Sequence, residues 1–121
     1  MANTFIIIAA YNEEKHISKV LNGLKKDYKN IIVVDDGSKD NTFNIAKKSG
    51  AIALKHIVNL GKGAAMKTGC DYAIKLGADI LVLMDADGQH EPKEVPNLLN
   101  KLKDTDIIFG YRKFNKKMPK M

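Results

Sequence analysis

Five apolar residues in succession, Ile80-Leu81-Val82-Leu83-Met84, run straight into Asp85-Ala86-Asp87-Gly88-Gln89-His90. A strand without polar alternation is buried on both faces, which happens where helices cover both sides of a parallel sheet. Open sheets of that kind take their ligands outside the carboxyl ends of the strands. Two carboxylates spaced i, i+2 and an amide therefore stand where a ligand is expected. They are hard oxygen donors that suit Mg2+ or Mn2+, whose shell is completed by water and substrate phosphates. The same residues also read as a turn that caps a helix after Pro92. This stretch alone leaves metal site and turn both open.

The rest of the chain repeats the theme. Phe5–Ala9 is a first buried strand, followed by a turn at Ala10-Tyr11-Asn12. Ile17, Val20, Leu21 and Leu24 recur at i, i+3, i+4, i+7 and give the next helix one apolar face. Glu13 and Glu14 are expected in its first turn, where the helix dipole favours negative charge. A second strand, Asn30–Val34, ends in Asp35-Asp36-Gly37-Ser38; a short helix runs from Asn41 to Lys48 and Gly50 stops it. Ala51–Leu54 is a weaker strand suited to an edge. Asn59-Leu60-Gly61-Lys62-Gly63 then opens a helix whose small residues Ala65 and Gly69 allow close packing on the sheet, and Gly77 ends it. After the Ile80–Met84 strand come a helix with Val95, Leu98, Leu99 and Leu102 on one face and a strand at Asp106–Phe109. Strands alternating with helices predict an α/β fold, a Rossmann-like open and mostly parallel sheet with helices on both faces.

At 121 residues the chain suits one domain. We expect it over residues 1–112, with 113–121 a basic tail or a continuation cut short. The net charge of +6 is compatible with nucleic acid, an anionic membrane or a phosphorylated substrate and selects none of them. One cysteine, Cys70, excludes an internal disulfide, fits a reducing compartment and reads as an inward-facing helix residue rather than a reactive thiol. No apolar run approaches the roughly 20 residues of a membrane span. Phe5–Ala10 lacks a preceding basic region and runs into Asn12-Glu13-Glu14, which argues against a signal peptide.

In a parallel sheet all carboxyl ends share one edge. That edge collects Tyr11, Asn12 and Glu13, then Asp35 and Asp36, then Asp85, Asp87, Gln89 and His90, and finally Tyr111 and Arg112. Such convergence predicts a small-molecule site. A nucleotide base and ribose offer N–H and O–H donors that Asp35 and Asp36 can accept, while Asp85 and Asp87 suit a cation on a pyrophosphate. A turn with a helix cap at Ser38 accounts for Asp35-Asp36-Gly37-Ser38 equally simply. Gly61-Lys62-Gly63-Ala64-Ala65-Met66-Lys67-Thr68 misses a phosphate-binding P-loop by one residue, because Met66 stands where backbone must wrap the phosphate. It fails the dinucleotide fingerprint at the same position. The loop still offers N–H groups and Lys62 to a phosphate.

Four segments, Ala10-Tyr11-Asn12-Glu13-Glu14, Val34-Asp35-Asp36-Gly37-Ser38, Asn59-Leu60-Gly61-Lys62-Gly63 with Ala65 and Gly69, and Asp85-Ala86-Asp87-Gly88-Gln89-His90 with Pro92, together resemble the family 2 glycosyltransferases of the GT-A fold. The resemblance is greatest to the dolichol-phosphate mannosyltransferase (polyprenyl-phosphate sugar synthase) branch, and it covers nearly the whole chain. It implies that Ala10, Tyr11 and Glu13 line a nucleotide pocket and that Asp35, Asp36 or both contact the base. It implies that Asp85, Asp87 and Gln89 hold Mg2+ or Mn2+, and that Arg112 meets an acceptor phosphate. Ala9 stands where the family usually has proline, and the family's catalytic domain continues well beyond residue 121.

The resemblance implies transfer of a hexose, with inversion, from GDP-mannose or UDP-glucose to a polyprenyl or dolichyl phosphate. The metal would neutralise charge on the departing diphosphate. A lipid phosphate with a second pKa of about 6 arrives ionised and needs no strong base, so His90 reads as a residue orienting the loop. Arg112, Lys113, Lys116, Lys117 and Lys120 would each contribute about 1 kcal/mol at an anionic membrane surface, or form a solvated tail. The expected location is cytoplasmic, with peripheral contact at the membrane, and nucleic acid is not an expected partner. Three other readings compete. A non-catalytic or incomplete nucleotide-sugar-binding module keeps the same site. A receiver-like domain phosphorylated at Asp85 would need its acidic pair after the first strand and a lysine where Tyr111-Arg112 stands. A nucleotidyltransferase would show glycines within Ala9–Glu13.

Overall fold

The computed structural model describes residues 3–86 and, as backbone, 106–109. The elements in order are β1 (Thr4–Ala10), α1 (Ile17–Leu24), β2 (Asn30–Asp35), α2 (Thr42–Lys48), β3 (Ile52–Lys55), α3 (Lys62–Lys75), β4 (Ile80–Asp85) and β5 (Asp106–Phe109). The strands form one sheet in the order β3-β2-β1-β4-β5. Every described pairing is parallel, with Ile7 of β1 registered to Ile32 on one side and Leu83 on the other.

Alternation along the central strands divides the core in two. Phe5, Ile7, Ile32, Val34, Leu81 and Leu83 pack with Ala65, Met66, Cys70 and Ala73 of α3 on one face. Ile6, Ile8, Ile31, Val33, Val82 and Met84 pack with Ile17, Leu21 and Leu24 of α1 and Ala46 of α2 on the other. Burying such a side chain contributes about 1.5–3 kcal/mol each before the entropy of ordering is charged against it. Continuous apolar runs are thus the period-2 pattern of a sheet with two buried faces. The short β3 is only half-buried and occupies the edge that its weaker sequence implies.

Gly69 permits the α3 face to seat. A Cβ there would run into Cγ2 of Ile7 and lie 3.1 Å from Cγ2 of Val34. Cys70, on the same face, is buried as expected.

Two local expectations are corrected. Glu13 and Glu14 do not enter the first turn of α1, which starts at Ile17 with no acidic residue in that turn. The chain needs them elsewhere: Glu14 Oε1 accepts the Asn41 N–H at 3.1 Å, at the start of α2, and Glu13 Oε1 pairs with Nδ1 of His16 at 2.9 Å. Nor does Ser38 cap α2, which starts four residues later at Thr42. Its hydroxyl instead accepts the Asn12 N–H at 2.8 Å. The expected helix bearing Val95, Leu98, Leu99 and Leu102, the residues Asp87, Gln89, His90, Tyr111 and Arg112, and the segment 113–121 lie outside the described residues.

Candidate functional site

From β1 the chain leaves toward β2 on one side, and from β3 it returns across α3 to β4 on the other. The sheet therefore has its switch point between β1 and β4, where an open α/β sheet forms its ligand crevice. A cleft of about 310 Å³ lies there. Ala9, Ala10, Tyr11 and Glu13 line it from β1 and the following turn, and Asp36 from the end of β2. Asn59, Gly61 and Lys62 approach from the loop into α3, with Asp85 and Ala86 at the end of β4.

Six residues singled out from sequence thus meet in one place: Ala10, Tyr11, Glu13, Asp36, Lys62 and Asp85. Asp35 is 1% exposed and is not among the described lining residues. Its Oδ1 accepts the Ser38 N–H at 3.1 Å, and its buried Oδ2 has no hydrogen-bond partner among the described residues. Asp87, Gln89 and Arg112 fall outside the described residues.

Asp85 is buried, and Nζ of Lys62 lies 2.8 Å from its Oδ2. Lys62 is the first residue of α3, and Gly61 before it has φ +105° and no side chain with which to cap the helix. An uncapped helix N-terminus and a lysine together favour an anion. Asp36 has a different task. Its Oδ1 accepts the Leu60 N–H at 2.9 Å and pairs with His56 Nδ1 at 2.8 Å, while its Oδ2 accepts the Gly61 N–H at 2.8 Å. One carboxylate therefore ties the end of β2 to the loop that carries Lys62.

The β1–α1 and β2–α2 loops are clasped together. Asn12, in the left-handed region at φ +53°, accepts the Lys39 N–H at 2.9 Å through its Oδ1. Thr42, fully buried, accepts the Glu13 N–H at 2.9 Å and donates its hydroxyl to Asp40. Burial alone would raise the Asp40 pKa. The hydrogen bonds donated by the hydroxyl and N–H of Thr42 and by the N–H of Glu14 outweigh it and hold the carboxyl below its ordinary range. Gly37 completes the cradle: at φ +79°, its missing Cβ would sit 2.5 Å from the backbone nitrogen of Asn59.

Sequence reasoning did not single out His56, Asn59 as a lining residue, or Thr42. Register supplied a usable signal for the first. Asp35 pairs with Lys55, so Asp36 and His56 are the next residues on adjacent strands at the ligand edge.

Of the three expected metal ligands only Asp85 is described, and no group of three or more His, Cys, Asp or Glu gathers around one point among the described residues. The donor chemistry nonetheless fits a cation. The Asp85 carboxylate, buried at a strand end, already holds the ammonium of Lys62 on one oxygen. Cys70 is not part of this chemistry, because burial, with a smaller push from Asp71, raises its pKa to about 12.

A parallel sheet whose switch-point cleft carries buried carboxylates, a lysine and a helix N-terminus defines an open α/β protein of the Rossmann-like class. The sequence profile of Glycosyl transferase family 2 matches residues 5–120, and the chain belongs to that family. It is 45% identical over 113 residues to UDP-N-acetylglucosamine--dolichyl-phosphate N-acetylglucosaminyltransferase of Methanococcus voltae, covering 78% of this chain and 45% of that one. It is 34% identical over 121 residues to polyprenol monophosphomannose synthase of Mycolicibacterium smegmatis, covering 90% and 44%. The chain spans about half the length of the relatives it matches first. Among solved structures, glucosyl-3-phosphoglycerate synthase from Mycobacterium tuberculosis, in complex with Mn2+, UDP and glucosyl-3-phosphoglycerate, superimposes with a TM-score of 0.60 at 29% identity, over 82% of this chain and 39% of that one. The Rossmann-like, GT-A-type fold expected from sequence is therefore the fold of the chain.

Proposed function

We propose that this chain is the donor-binding part of an inverting glycosyltransferase. It would move a hexose from a nucleotide-diphosphate sugar, GDP-mannose or UDP-glucose, to a polyprenyl or dolichyl phosphate. The observation that carries the reading is the convergence of Asp85, Lys62, Asp36 and the α3 N-terminus in one cleft at the β1/β4 switch point. The relatives from Methanococcus voltae and Mycolicibacterium smegmatis, named for dolichyl phosphate and for polyprenol, support the acceptor class.

In this reading Ala10, Tyr11 and Glu13 line the nucleotide pocket. Asp35, buried and outside the described lining of the cleft, keeps a carboxylate oxygen with no hydrogen-bond partner among the described residues, which this reading assigns to the base, and Asp36 contributes by holding the loop that would face the diphosphate. Lys62 and the N-terminus of α3 attract the phosphates. Asp85, Asp87 and Gln89 would hold Mg2+ or Mn2+, which would supply charge neutralisation for the leaving diphosphate. Arg112 receives the acceptor phosphate, which arrives ionised, so no side chain has to remove a proton from it. The donor-binding unit spans residues 1–112. The basic segment 113–121 meets an anionic membrane surface from the cytoplasmic side. No helix among the described residues is long and apolar enough to cross a membrane.

The test is calorimetric titration of GDP-mannose, UDP-glucose, GDP and UDP, with and without Mn2+, into the wild-type chain and Asp85→Asn. The expected result is Mn2+-dependent binding of one base, lost in Asp85→Asn while its circular dichroism stays native. Absence of binding by any nucleotide to the folded wild-type chain overturns the reading.

A further inference from the structure

His56 does not line the cleft, yet it underlies it. Its side chain is 10% exposed and lies between two elements. Nδ1 is 2.8 Å from Oδ1 of Asp36, and Nε2 is 2.8 Å from the hydroxyl of Thr68. Thr68 belongs to α3 and directs the same hydroxyl at the Ala64 carbonyl, 3.0 Å away. The backbone seats the ring as well, since the His56 N–H donates to the Asp35 carbonyl at 2.8 Å. A carboxylate only accepts, so the proton between ring and Asp36 is on Nδ1.

We propose that His56 is a positioning residue for donor binding: it fixes the Asp36 carboxylate so that Asp36 can hold the loop at Leu60 and Gly61 and place Lys62. The argument is one of shared acceptors. The Asp36 side chain is 5% exposed and has three donors among the described residues, two of which are the Leu60 and Gly61 N–H groups. The third is His56. Without it, a buried charge keeps two donors where it had three, and the carboxylate is freer to rotate away from the loop toward water. Lys62 follows Gly61 directly, so the looseness passes to the group that faces Asp85. The contact to Thr68 anchors the other end of the ring in α3, which fixes the helix and the loop that precedes it to one another.

This inference rests on the nucleotide reading for its consequence, though not for its geometry, and the two are separated by experiment. Three variants are compared: His56→Leu, His56→Asn and His56→Gln. The Asn amide nitrogen stands near the position of Nδ1 and can donate to Asp36. The Gln amide nitrogen reaches the position of Nε2 and donates toward Thr68 instead. Amide hydrogen exchange is read at Leu60 and Gly61, with β1 and β4 amides as the internal reference. Affinity is read with the nucleotide and Mn2+ that the wild-type chain binds.

Leu and Gln should speed exchange at Leu60 and Gly61 by roughly tenfold relative to the reference strands, the effect of losing one hydrogen bond to a buried charge. They should weaken nucleotide affinity by a similar factor, while Asn restores both. A ring that merely fills space predicts no separation of Asn from Gln. Equal exchange at Leu60 and Gly61 in the Asn and Gln variants overturns the proposal, even if His56→Leu fails to fold. If the wild-type chain binds no nucleotide, the functional reading fails and the exchange arm still decides the role of His56.

Discussion

Substituting alanine for glycine at two helical positions should move stability in opposite directions. Gly23 lies in α1, is exposed, and has nothing within 4 Å of where a Cβ would stand. Gly23→Ala therefore gains helix propensity at no steric cost, about 0.5–1 kcal/mol. Gly69 lies in α3 with its Cα against β1, and an added methyl would collide with Cγ2 of Ile7 and crowd Cγ2 of Val34 at 3.1 Å. Ile7 is fully buried in the central strand, paired with Ile32 on one side and Leu83 on the other, so it has little room to yield. Overpacking of this kind costs about 1–3 kcal/mol. With two close contacts the cost lies toward the upper end, about 2–3 kcal/mol; set against the propensity gain of up to about 1 kcal/mol, Gly69→Ala is expected to lose roughly 1–2 kcal/mol net.

The assay is urea unfolding followed by circular dichroism. With a slope of about 1–3 kcal/mol/M for a small domain, the two variants should differ in midpoint by roughly 1–2 M, the wild type lying between them. Unchanged slopes are needed for the midpoints to report stability. A Gly69→Ala midpoint at or above the wild-type value would refute the argument, because it would mean that α3 can lift from the sheet without loss. Since α3 begins with Lys62, such a lift would also undercut the geometry of the cleft.

Gly37→Ala should destabilise the chain by at least about 1 kcal/mol through its left-handed backbone alone; because the methyl would also press on Val58 and Asn59, nucleotide affinity should fall with it, and calorimetry on the folded fraction checks this. Asp40 makes stability pH-dependent in a defined direction. Its folded carboxyl has a lowered pKa, so its contribution is present above the unfolded pKa of about 3.9 and fades as pH falls through the lower folded value. Urea midpoints of wild type and Asp40→Asn should accordingly differ at pH 6 and converge in strong acid. Cys70, buried and with its pKa pushed up to about 12, should react with a thiol reagent at pH 8 only as fast as the chain opens. A stopped-flow measurement in which the reaction runs to completion in the native state would contradict that burial.

The architecture was legible because burial on both faces leaves a direct trace. Uninterrupted runs such as Phe5–Ala9 and Ile80–Met84 have few other homes, and the glycines at 50 and 77 marked where helices stop. The strand ends lie one residue beyond the apolar runs, since Asp35 and Asp85 are the last residues of β2 and β4 rather than the first of their turns. That shift has a physical cause. A carboxylate at a strand terminus keeps its backbone in the ladder while its side chain turns to the ligand edge, and composition reports the side chain. The misreading of Glu13, Glu14 and Ser38 is of another kind. Each has a local role that helix rules suggest, but the side chains of Glu14 and Ser38 go to Asn41 and Asn12, 27 and 26 residues away, and Glu13, whose carboxylate pairs with His16, sends its backbone N–H to Thr42, 29 residues away. Local propensity carries no record of such non-local bonds.

The same distinction separates the two acidic residues of the Asp35-Asp36 pair. By sequence they are interchangeable candidates for a base. In the fold they diverge because successive residues at a strand end face opposite ways. Asp36 turns toward the β3–α3 loop and spends its oxygens on His56, Leu60 and Gly61. Asp35 turns toward the Ser38 side and keeps one buried oxygen without a hydrogen-bond partner among the described residues. An acceptor already holding three donors is a poor reader of a ligand, since each new donor must displace or crowd an old one. Under the proposed nucleotide reading, replacement of Asp35 should therefore act on which base is bound, and replacement of Asp36 on how well any nucleotide is bound at all, and titration of GDP and UDP into each variant checks this. That division of labour follows from the alternation of a strand.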